Sequence, residues 1–114
     1  MQKQRPVLDI ATLTALAESN RLHIVELLRN GPLTVGEIAD RLGLRQPQAS
    51  KHLKVLSESG ILEVRAEANR RVYTLRSAPF QLMEAWLKSF PKAMEERFDK
   101  LEEYLQEIQS KKKT

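Results

Sequence analysis

The residues of this chain whose types and spacing suit chemistry are amide, hydroxyl and basic side chains concentrated in two short stretches. Seven of them lie within ten positions: Arg45, Gln46, Gln48, Ser50, Lys51, His52 and Lys54. Three more follow in a second stretch: Asn69, Arg70 and Arg71. Such side chains hydrogen-bond to phosphate oxygens and to the edges of bases. The pattern therefore indicates recognition of double-stranded DNA.

Within the first stretch, residue type separates two expected roles. The candidates for contacts with base edges are Gln46, Gln48, Lys51 and His52, because Gln suits adenine and Lys suits guanine in the major groove. Ser50 and Lys54 are expected to contact phosphate. The alternative is that all are ordinary exposed polar residues. For His52 a hydrogen bond to a neighbouring helix is an equally good interpretation.

The second stretch lies at the tip of an expected β-hairpin. An arginine there can enter a narrow minor groove or bind phosphate. Because side chains alternate across a strand, Arg70 and Arg71 should point to opposite sides. We expect one of the two to contact DNA and favour Arg70.

Enzymatic and metal chemistry lack the residues they need. The chain has no cysteine, and its two histidines, His23 and His52, fall on different predicted helices. A zinc site needs three or four converging ligands. We find no glycine-rich phosphate loop and no nucleophile motif. The sequence therefore predicts a protein that is not an enzyme and has no metal or other cofactor.

Charge is distributed unevenly along the chain. Residues 41–76 carry eight basic and three acidic side chains, a net charge of +5, whereas residues 78–114 carry seven of each. A local positive excess attracts phosphate, and binding through it weakens with salt. A solvated face without a partner is the alternative.

Size and hydropathy limit the class of protein. A chain of 114 residues, 41% hydrophobic and 30% charged, is typical of one globular domain. It has no apolar run of about 18 residues, and its N-terminal segment is a poor signal peptide. These features predict a cytoplasmic protein without a membrane partner.

Four helices are expected before the hairpin. The first runs from an Asp9 cap to Glu18, with one apolar stripe: Ile10, Leu13, Leu16 and Ala17. Ser19 or Asn20 caps the second, which ends at Gly31-Pro32. Its expected stripe is Leu22, Val25, Leu27 and Leu28.

The third and fourth helices form a helix-turn-helix unit. Thr34 and Glu37 have the spacing of a capping box, and Gly43 supplies the turn between the helices. The fourth helix begins near Gln46-Pro47, ends at Gly60 and buries three residues on one face: Ala49, Leu53 and Leu56. This arrangement places one helix in a DNA groove.

The hairpin is predicted from strand-favouring residues. The strands are Ile61–Arg65 and Arg71–Leu75, and Ala66–Arg70 forms the tip. Since the tip lacks glycine, we expect a turn wider than the tightest types. Tyr73 is expected to pack on the recognition helix and Arg21 to form a structural salt bridge.

From Pro79 to Ser110 the apolar residues follow a coiled-coil-like spacing. Pro91 is expected to kink this helix or to split it in two. We predict that the helix pairs with a second copy of the chain, whereas packing within one subunit is the alternative. The expected dimer interface is Leu13, Leu16, Met83, Leu87, Phe90, Met94, Phe98, Leu101, Leu105 and Ile108.

A cluster of large side chains lies where this last segment begins: Phe80, Met83, Trp86 and Phe90. Such a cluster can line a small-molecule pocket at the dimer junction. Core packing is the commoner outcome at this spacing. The sequence leaves a small-molecule or protein effector unidentified.

The segment QPQASKHLKVLSESGIL, followed by NRRVYTL, resembles the ArsR/SmtB family of bacterial winged-helix repressors over about residues 10–76. The resemblance implies five helices, a two-stranded wing, a dimer built from the first and last helices, and binding to inverted repeats. Many members respond to metals. This chain has no cysteine in residues 34–39 and no histidine in residues 79–110, so it resembles the branch without metal ligands.

One further departure from the family is Arg45, where a serine often caps the recognition helix. Its loss costs about 1 kcal/mol of helix stability. The arginine instead adds a cation that we expect to contact phosphate.

The sequence thus predicts a mainly α, α+β fold with one winged-helix domain and a small β-hairpin. Its expected parts are a flexible arm (1–7), a DNA-binding core (9–77) with the wing at 61–76, a dimerisation helix (79–110) and a tail (111–114). The expected function is that of a homodimeric repressor on an inverted-repeat operator. A protein-interaction module or a sequence-blind architectural DNA-binding protein is the alternative.

Overall fold

The structure, a computed structural model, describes residues 8–90 and 92–113, and within the last helix the side chains of residues 96, 97 and 99–111. The arm predicted at residues 1–7 lies outside this part. The elements in chain order are α1 Ile10–Leu16, α2 Ser19–Leu28, β1 Leu33–Thr34, α3 Val35–Leu42, α4 Gln46–Glu58, β2 Leu62–Glu67, β3 Arg70–Leu75, α5 Ser77–Lys88 and α6 Lys92–Lys113.

The α1 helix begins as predicted but is oriented differently. The Asp9 side chain accepts a hydrogen bond from the Ala11 N–H and caps the helix. The residues that α1 buries are Thr12 and Ala15. Most of the predicted apolar stripe faces outward instead, with Ile10 72% exposed. An apolar face turned to solvent is available to a partner.

The predicted start of α2 is wrong by one residue. Glu18, not Ser19 or Asn20, is the N-cap, because its Oε1 accepts a hydrogen bond from the Arg21 N–H at 2.9 Å. The predicted stripe is also partly wrong. Ile24 is fully buried, whereas Leu22 is exposed.

The capping box and the turn of the helix-turn-helix unit are confirmed. The Thr34 Oγ1 accepts from the Glu37 N–H at 3.2 Å, and the Glu37 carboxylate accepts from the Thr34 N–H at 2.8 Å. Gly43 ends α3 with φ of 66°, a left-handed conformation that glycine adopts at little cost. The turn thereby sets the path from α3 into α4.

The inward face of α4 is confirmed: Ala49, Leu53 and Leu56 are fully buried. At its N-terminus the Arg45 side chain makes no capping hydrogen bond. The Gln48 Oε1 accepts from the Arg45 N–H at 3.0 Å, which satisfies one backbone donor before the helix. The recognition helix therefore begins with a glutamine in a capping role.

The sheet has three antiparallel strands in the order β1-β3-β2. The hairpin tip is a two-residue turn, Ala68–Asn69, since Glu67 pairs with Arg70. The prediction of a wider tip is wrong because Ala68 adopts a positive φ of 53° without being glycine. The two-residue strand β1, which pairs Leu33 with Tyr73, was not predicted.

One hydrophobic core joins the first four helices to the sheet. Its largest fully buried side chains are Ile24, Ile38, Leu53, Leu56 and Ile61. Leu62 and Tyr73 join it from the sheet. Because α4 contributes two of these anchors, its inner face is fixed and its outer face keeps a defined orientation.

The C-terminal segment forms two helices, so the described residues contain six helices rather than the five that the resemblance implied. The α5 helix ends at Lys88 and α6 begins at Lys92, on either side of Pro91. A proline disfavours a continuous helix. The tail predicted from residue 111 is wrong as far as Lys113, because α6 continues to that residue. No helix in the described part is long and apolar enough to cross a membrane.

Candidate nucleic-acid interface

A groove of ≈ 880 Å³ lies between α4, the N-terminus of α3 and the hairpin. Its α4 wall carries Gln46, Ser50, Lys54, Ser57 and Glu58. Its other walls carry Thr34, Val35, Gly36, Val64, Asn69, Arg70, Arg71 and Tyr73. Six of the ten predicted DNA-contacting residues thus share one groove.

Helical periodicity explains the α4 wall. Gln46, Ser50 and Lys54 are four residues apart, so they lie along one side of the helix. All three are exposed, whereas Ala49 and Leu53 hold the adjacent side in the core. The wall presents an amide, a hydroxyl and an ammonium group to any occupant of the groove.

Three other predicted contacts lie outside the groove. Arg45, Gln48 and Lys51 are exposed and do not line it. Lys51 projects from the outward side of α4, opposite its buried face. The hydrogen bond from the Arg45 N–H to Gln48 occupies one of the groups with which that glutamine would read adenine. The outward side of α4 therefore forms a second polar surface beside the groove.

His52 is half-buried on the remaining flank of α4. Its Nδ1 lies 3.7 Å from Oε1 of Glu18, the residue that caps α2. A protonated imidazole would form an ion pair there. Of the two interpretations of His52, this position supports the contact with a neighbouring helix.

The register of the hairpin assigns its two tip arginines to different faces. Val64 pairs with Tyr73 and Ala66 pairs with Arg71, so the side chains of Arg71, Val64 and Tyr73 share a face of the sheet. The side chain of Arg70, one residue earlier in β3, points to the other face. Both arginines and Asn69 are exposed and line the groove. Opposite faces were predicted for this pair.

Glu37 links α3 electrostatically to the hairpin. Hydrogen bonds from the Thr34 backbone and side chain lower the pKa of its carboxyl, and the charges of Arg41 and Arg70 lower it further. The pKa therefore lies below its ordinary value and the carboxylate stays ionised at neutral pH. Of these influences the charge of Arg70 is the smallest.

Sequence reasoning missed several residues of the groove. Glu58 and Val64 were not predicted, and neither was Ser57, whose buried Oγ has no hydrogen-bond partner among the described residues. Counting on from Lys54 by three and four along α4 would have found Ser57 and Glu58. The approach of the α3 N-terminus depends on tertiary packing, and no local pattern predicts it.

A second omission is an ion pair on the wing. The Arg65 guanidinium lies 2.8 Å from Oε2 of Glu67, two residues along β2. Both side chains are exposed. Water screens such a pair, so its contribution to stability is about 0–1 kcal/mol.

Arg21 is structural, although the predicted salt bridge is wrong. Its Nε donates to the Ala15 carbonyl oxygen at 2.7 Å, and no ion pair of Arg21 occurs within the described residues. The hydrogen bond ties α2 to the last turn of α1. The guanidinium thus satisfies a carbonyl oxygen in the last turn of α1, in addition to the bonds that the Ala17 N–H donates to the Leu13 and Thr14 carbonyls.

The aromatic cluster of α5 is only partly in the core. Phe80 packs against the core, whereas Trp86 and Phe90 form an edge-to-face pair at 5.1 Å. Trp86 is exposed and Met83 is half-buried. The cluster therefore adds apolar surface to the outside of the protomer.

The predicted dimer residues fall into three groups. Leu13, Leu87, Leu101 and Leu105 are exposed. The half-buried ones are Leu16, Met83, Phe90 and Ile108. The side chains of Met94 and Phe98 lie outside the described residues. Across the part of the chain that is described, no three His, Cys, Asp or Glu side chains come together as a metal site.

Comparison with known proteins places the chain among bacterial regulators. A family model described as a helix-turn-helix domain matches residues 16–65. The chain is 48% identical over 61 residues to the transcriptional regulator Rv2034 of Mycobacterium tuberculosis, covering 54% of this chain and 57% of that protein. It is 38% identical over 74 residues to the transcriptional activator HlyU of Vibrio cholerae, covering 65% of this chain and 68% of HlyU.

A third relative is the biofilm growth-associated repressor of Agrobacterium fabrum, 41% identical over 63 residues, or 55% of this chain and 54% of the repressor. The chain thus spans about half to two thirds of the length of these relatives. All three names describe regulators of growth or transcription, in agreement with the prediction of a protein that is not an enzyme.

Solved structures agree in fold. The ArsR family regulator RHA00566 superposes with a TM-score of 0.67 and 28% identity, covering 86% of this chain and 97% of that one. The homodimeric winged helix-turn-helix DNA-binding domain of Mb0332 from Mycobacterium bovis superposes with a TM-score of 0.60 and 32% identity. The match covers 64% of this chain and 68% of that one. The winged helix-turn-helix fold is therefore confirmed.

Proposed function

The chain belongs to the ArsR/SmtB family of winged helix-turn-helix transcriptional regulators, and from that premise we propose that it represses transcription as a homodimer on an inverted-repeat operator, without a metal. One observation carries the proposal. The groove between α4 and the hairpin holds Lys54, Arg70 and Arg71 beside the hydrogen-bonding groups of Gln46 and Ser50. Cations around polar side chains on a projecting helix suit a phosphate backbone and base edges.

In the proposed complex α4 enters the major groove. Gln46, on the side of α4 that faces the hairpin, and Lys51, on its outward side, contact base edges. Ser50, Lys54 and Arg45 contact phosphates. Gln48 reads adenine only after its hydrogen bond to the Arg45 N–H is released. His52 does not contact DNA in this complex. Through its contact with Glu18 it holds α4 in position against α2, and it thereby orients the recognition helix for binding.

The hairpin lies against the neighbouring backbone or in the minor groove. We assign the principal contact to Arg71 rather than to Arg70. Arg71 shares its face of the hairpin with Val64 and Tyr73, on the wall opposite α4, whereas Arg70 lies on the other face, where its charge lowers the pKa of Glu37. Asn69 at the tip provides a second polar group to the same strand of DNA.

The homodimer uses the apolar surface that each protomer leaves exposed. That surface lies on α1, at Ile10 and Leu13, and on α5, at Leu82, Trp86 and Leu87. The related Mb0332 domain from Mycobacterium bovis is a homodimer. Two copies related by a two-fold axis would present two recognition helices to an inverted repeat.

Repression and metal independence rest on separate observations. Relatives of this chain include both a repressor and an activator. A homodimer bound across an operator acts most simply by occluding polymerase. With no cysteine and with His23 and His52 on different helices, the chain offers no soft or imidazole-rich ligand set.

The test is selection of bound sequences from random DNA by the purified protein at two salt concentrations, with and without a chelator. The proposal predicts an inverted repeat with half-sites about 10 base pairs apart, or a small multiple of that spacing. Recovery of only sequence-blind, salt-sensitive DNA would support an architectural role. Absence of binding at both salt concentrations would favour a protein-interaction module. Loss of binding in the chelator would contradict metal independence.

A further inference from the structure

One acidic side chain lies among the basic ones of the groove between α4 and the hairpin. Of the described residues that line this groove, Glu58 alone is acidic. The basic ones are Lys54, Arg70 and Arg71. Glu58 is exposed, and its side chain enters no ion pair among the described residues. The groove therefore presents a carboxylate that none of its cations holds.

The helix itself disfavours an acidic residue at this position. Glu58 is the last residue of α4, where the backbone carbonyl groups concentrate negative partial charge. A basic side chain is favourable at this end of a helix and an acidic one is not. Glu58 is also absent from the buried face of α4, which consists of Ala49, Leu53 and Leu56. Its position therefore points to a role in binding rather than in stability.

Helical geometry places Glu58 on the side of α4 that carries Lys51. Glu58 follows Lys51 by seven positions, which is close to two full turns, so the two side chains project in nearly the same direction. That direction is opposite the buried face of the helix. Glu58 thus lies on the outward side of α4, about 10 Å further along the helix axis than Lys51.

A carboxylate on a side that meets DNA discriminates between sequences in two ways. It accepts hydrogen bonds, and cytosine presents a suitable donor in the major groove, the N4 amino group. It also repels phosphate, and attraction to phosphate supplies nearly all of the affinity for DNA of unrelated sequence. Where no base donor meets the carboxylate, it remains an unpaired charge close to the DNA backbone. One group can therefore favour a particular sequence and disfavour the others.

We propose that Glu58 is a specificity-determining residue, which accepts a hydrogen bond from a cytosine amino group in the operator and repels DNA that lacks this base. The inference rests on the proposed function, because α4 must lie in the major groove for Glu58 to meet a base edge. Successive base pairs are about 3.4 Å apart. The cytosine therefore lies about three base pairs from the base that Lys51 contacts, in each half-site.

Selection of bound sequences from random DNA tests the base preference. The unmodified protein should select cytosine at one position of each half-site. Glu58→Gln should shift the preference at that position towards adenine, which a glutamine amide reads, and Glu58→Ala should remove it. The positions read by Gln46 and Lys51 should not change in either variant. Unchanged selection at every position in both variants overturns the proposal.

Affinity for DNA of unrelated sequence tests the repulsion independently. Glu58→Ala should bind such DNA about fivefold more tightly at low salt, because one negative charge per subunit is removed from the groove. The ratio of operator affinity to this affinity should fall at least about tenfold, because the contact with cytosine is lost from both half-sites. Fluorescence anisotropy with the two DNA molecules measures the ratio, and a ratio that does not fall contradicts the proposal.

Glu63→Ala is the matched control. Glu63 is exposed on β2, does not line the groove, and enters no ion pair in the part of the chain that is described. Its removal changes the net charge by the same amount, and the ratio should stay within about twofold of that of the unmodified protein. Equal changes in the ratio for Glu63→Ala and Glu58→Ala would mean that net charge alone matters, and the role of Glu58 would be refuted.

The unmodified protein distinguishes failure of this inference from failure of the proposed function. If it selects an inverted repeat, and the Glu58 variants keep its base preferences and its affinity ratio, only the role of Glu58 is wrong. If it selects no inverted repeat, the proposed function is wrong and the role of Glu58 fails with it.

Discussion

Single residues hold α4 in place before it meets DNA. Gln48 accepts from the Arg45 N–H, and His52 lies beside Glu18, the cap of α2. Both were candidates for base contacts, and both have partners inside the protein. A side chain that is already engaged must exchange that partner for DNA, which reduces the net free energy of the new contact. Gln46 and Lys54, which have no such partner among the described residues, are better placed.

The two wing arginines should differ in importance. Arg71→Gln should weaken DNA binding about five- to tenfold at moderate salt, because one cation contact is lost from each subunit. Arg70→Gln should weaken it less, since Arg70 lies on the face of the hairpin opposite the one that Arg71 shares with Val64 and Tyr73. Fluorescence anisotropy on the selected DNA measures both. A larger effect of Arg70→Gln would reverse the assignment.

Glu37 makes stability depend on pH in one direction. Its pKa is lowered in the folded protein by the Thr34 hydrogen bonds and by Arg41 and Arg70. A depressed carboxyl pKa contributes stability above the pKa of the unfolded chain, and this is lost as the pH falls through the folded value. Glu37→Gln should therefore lower the free energy of unfolding at pH 7, and the difference should shrink below about pH 4.

Urea unfolding at several pH values measures this difference, with Glu84→Gln as the control, because that exposed carboxylate lies 3.8 Å from Lys88 and caps no helix. A gap between wild type and Glu37→Gln that stayed constant down to pH 3 would show that Glu37 acts through something other than its charge.

The residue types predicted which side chains are basic and exposed. The alternation of side chains along a β-strand predicted that Arg70 and Arg71 point to opposite faces of the hairpin. It did not predict which of them shares a face with Val64, because that depends on the hairpin register. The position of Glu18 against His52 depends on how α2 crosses α4. Contacts between elements that are distant in sequence cannot be predicted from a local sequence pattern.

At the scale of elements, the turn between α3 and α4 sets the projection of the recognition helix. Gly43→Ala should lower the free energy of unfolding by about 1–2 kcal/mol, because φ is 66° there. Apart from the residues next to it in the chain, no heavy atom of the described residues lies within 4 Å of the added Cβ, so the cost comes from the backbone alone. Gly43→Asn, which tolerates this conformation better, should cost less. Equal losses in thermal unfolding would contradict this explanation.

The wing tip holds an alanine where glycine or asparagine would fit better. Ala68→Gly should raise the free energy of unfolding by about 0.5–1 kcal/mol. Glycine removes the strain of the left-handed backbone in the folded protein, and this gain exceeds the loss caused by the greater conformational entropy of glycine in the unfolded chain. Ala66→Gly, in the regular part of β2, should lower it by a similar amount. Urea unfolding of both variants tests this, and a loss at both positions would refute it.

Elements with local signals were predicted well. The capping box at Thr34, the cap at Asp9 and the inner face of α4 follow from residues close in sequence. The strand β1 has only two residues and exists through its pairing with β3. The tip was misjudged because Ala68 adopts a conformation that its residue type disfavours. Stability from the rest of the sheet holds it there.

At the scale of the whole molecule, charge and apolar surface are segregated. The positive excess of residues 41–76 lies on the helix-turn-helix and hairpin, and the exposed apolar side chains lie mainly on α1, α5 and α6. A molecule of this kind can bind DNA with one part and a second copy with others. The apolar period in residues 79–110 predicted a self-pairing segment, and the structure separates it into two helices.

The most direct test of the central claim compares two lysines. Lys54 lies in the groove, whereas Lys88 lies on α5 beside Glu84, and both are exposed. The affinity of Lys54→Gln and Lys88→Gln for the selected inverted repeat would be measured across a series of salt concentrations. If the groove binds DNA, Lys54→Gln reduces the slope of log affinity against log salt by about 2, one phosphate contact per subunit. Lys88→Gln leaves it unchanged. Equal slopes for both variants and the unmodified protein would contradict the account.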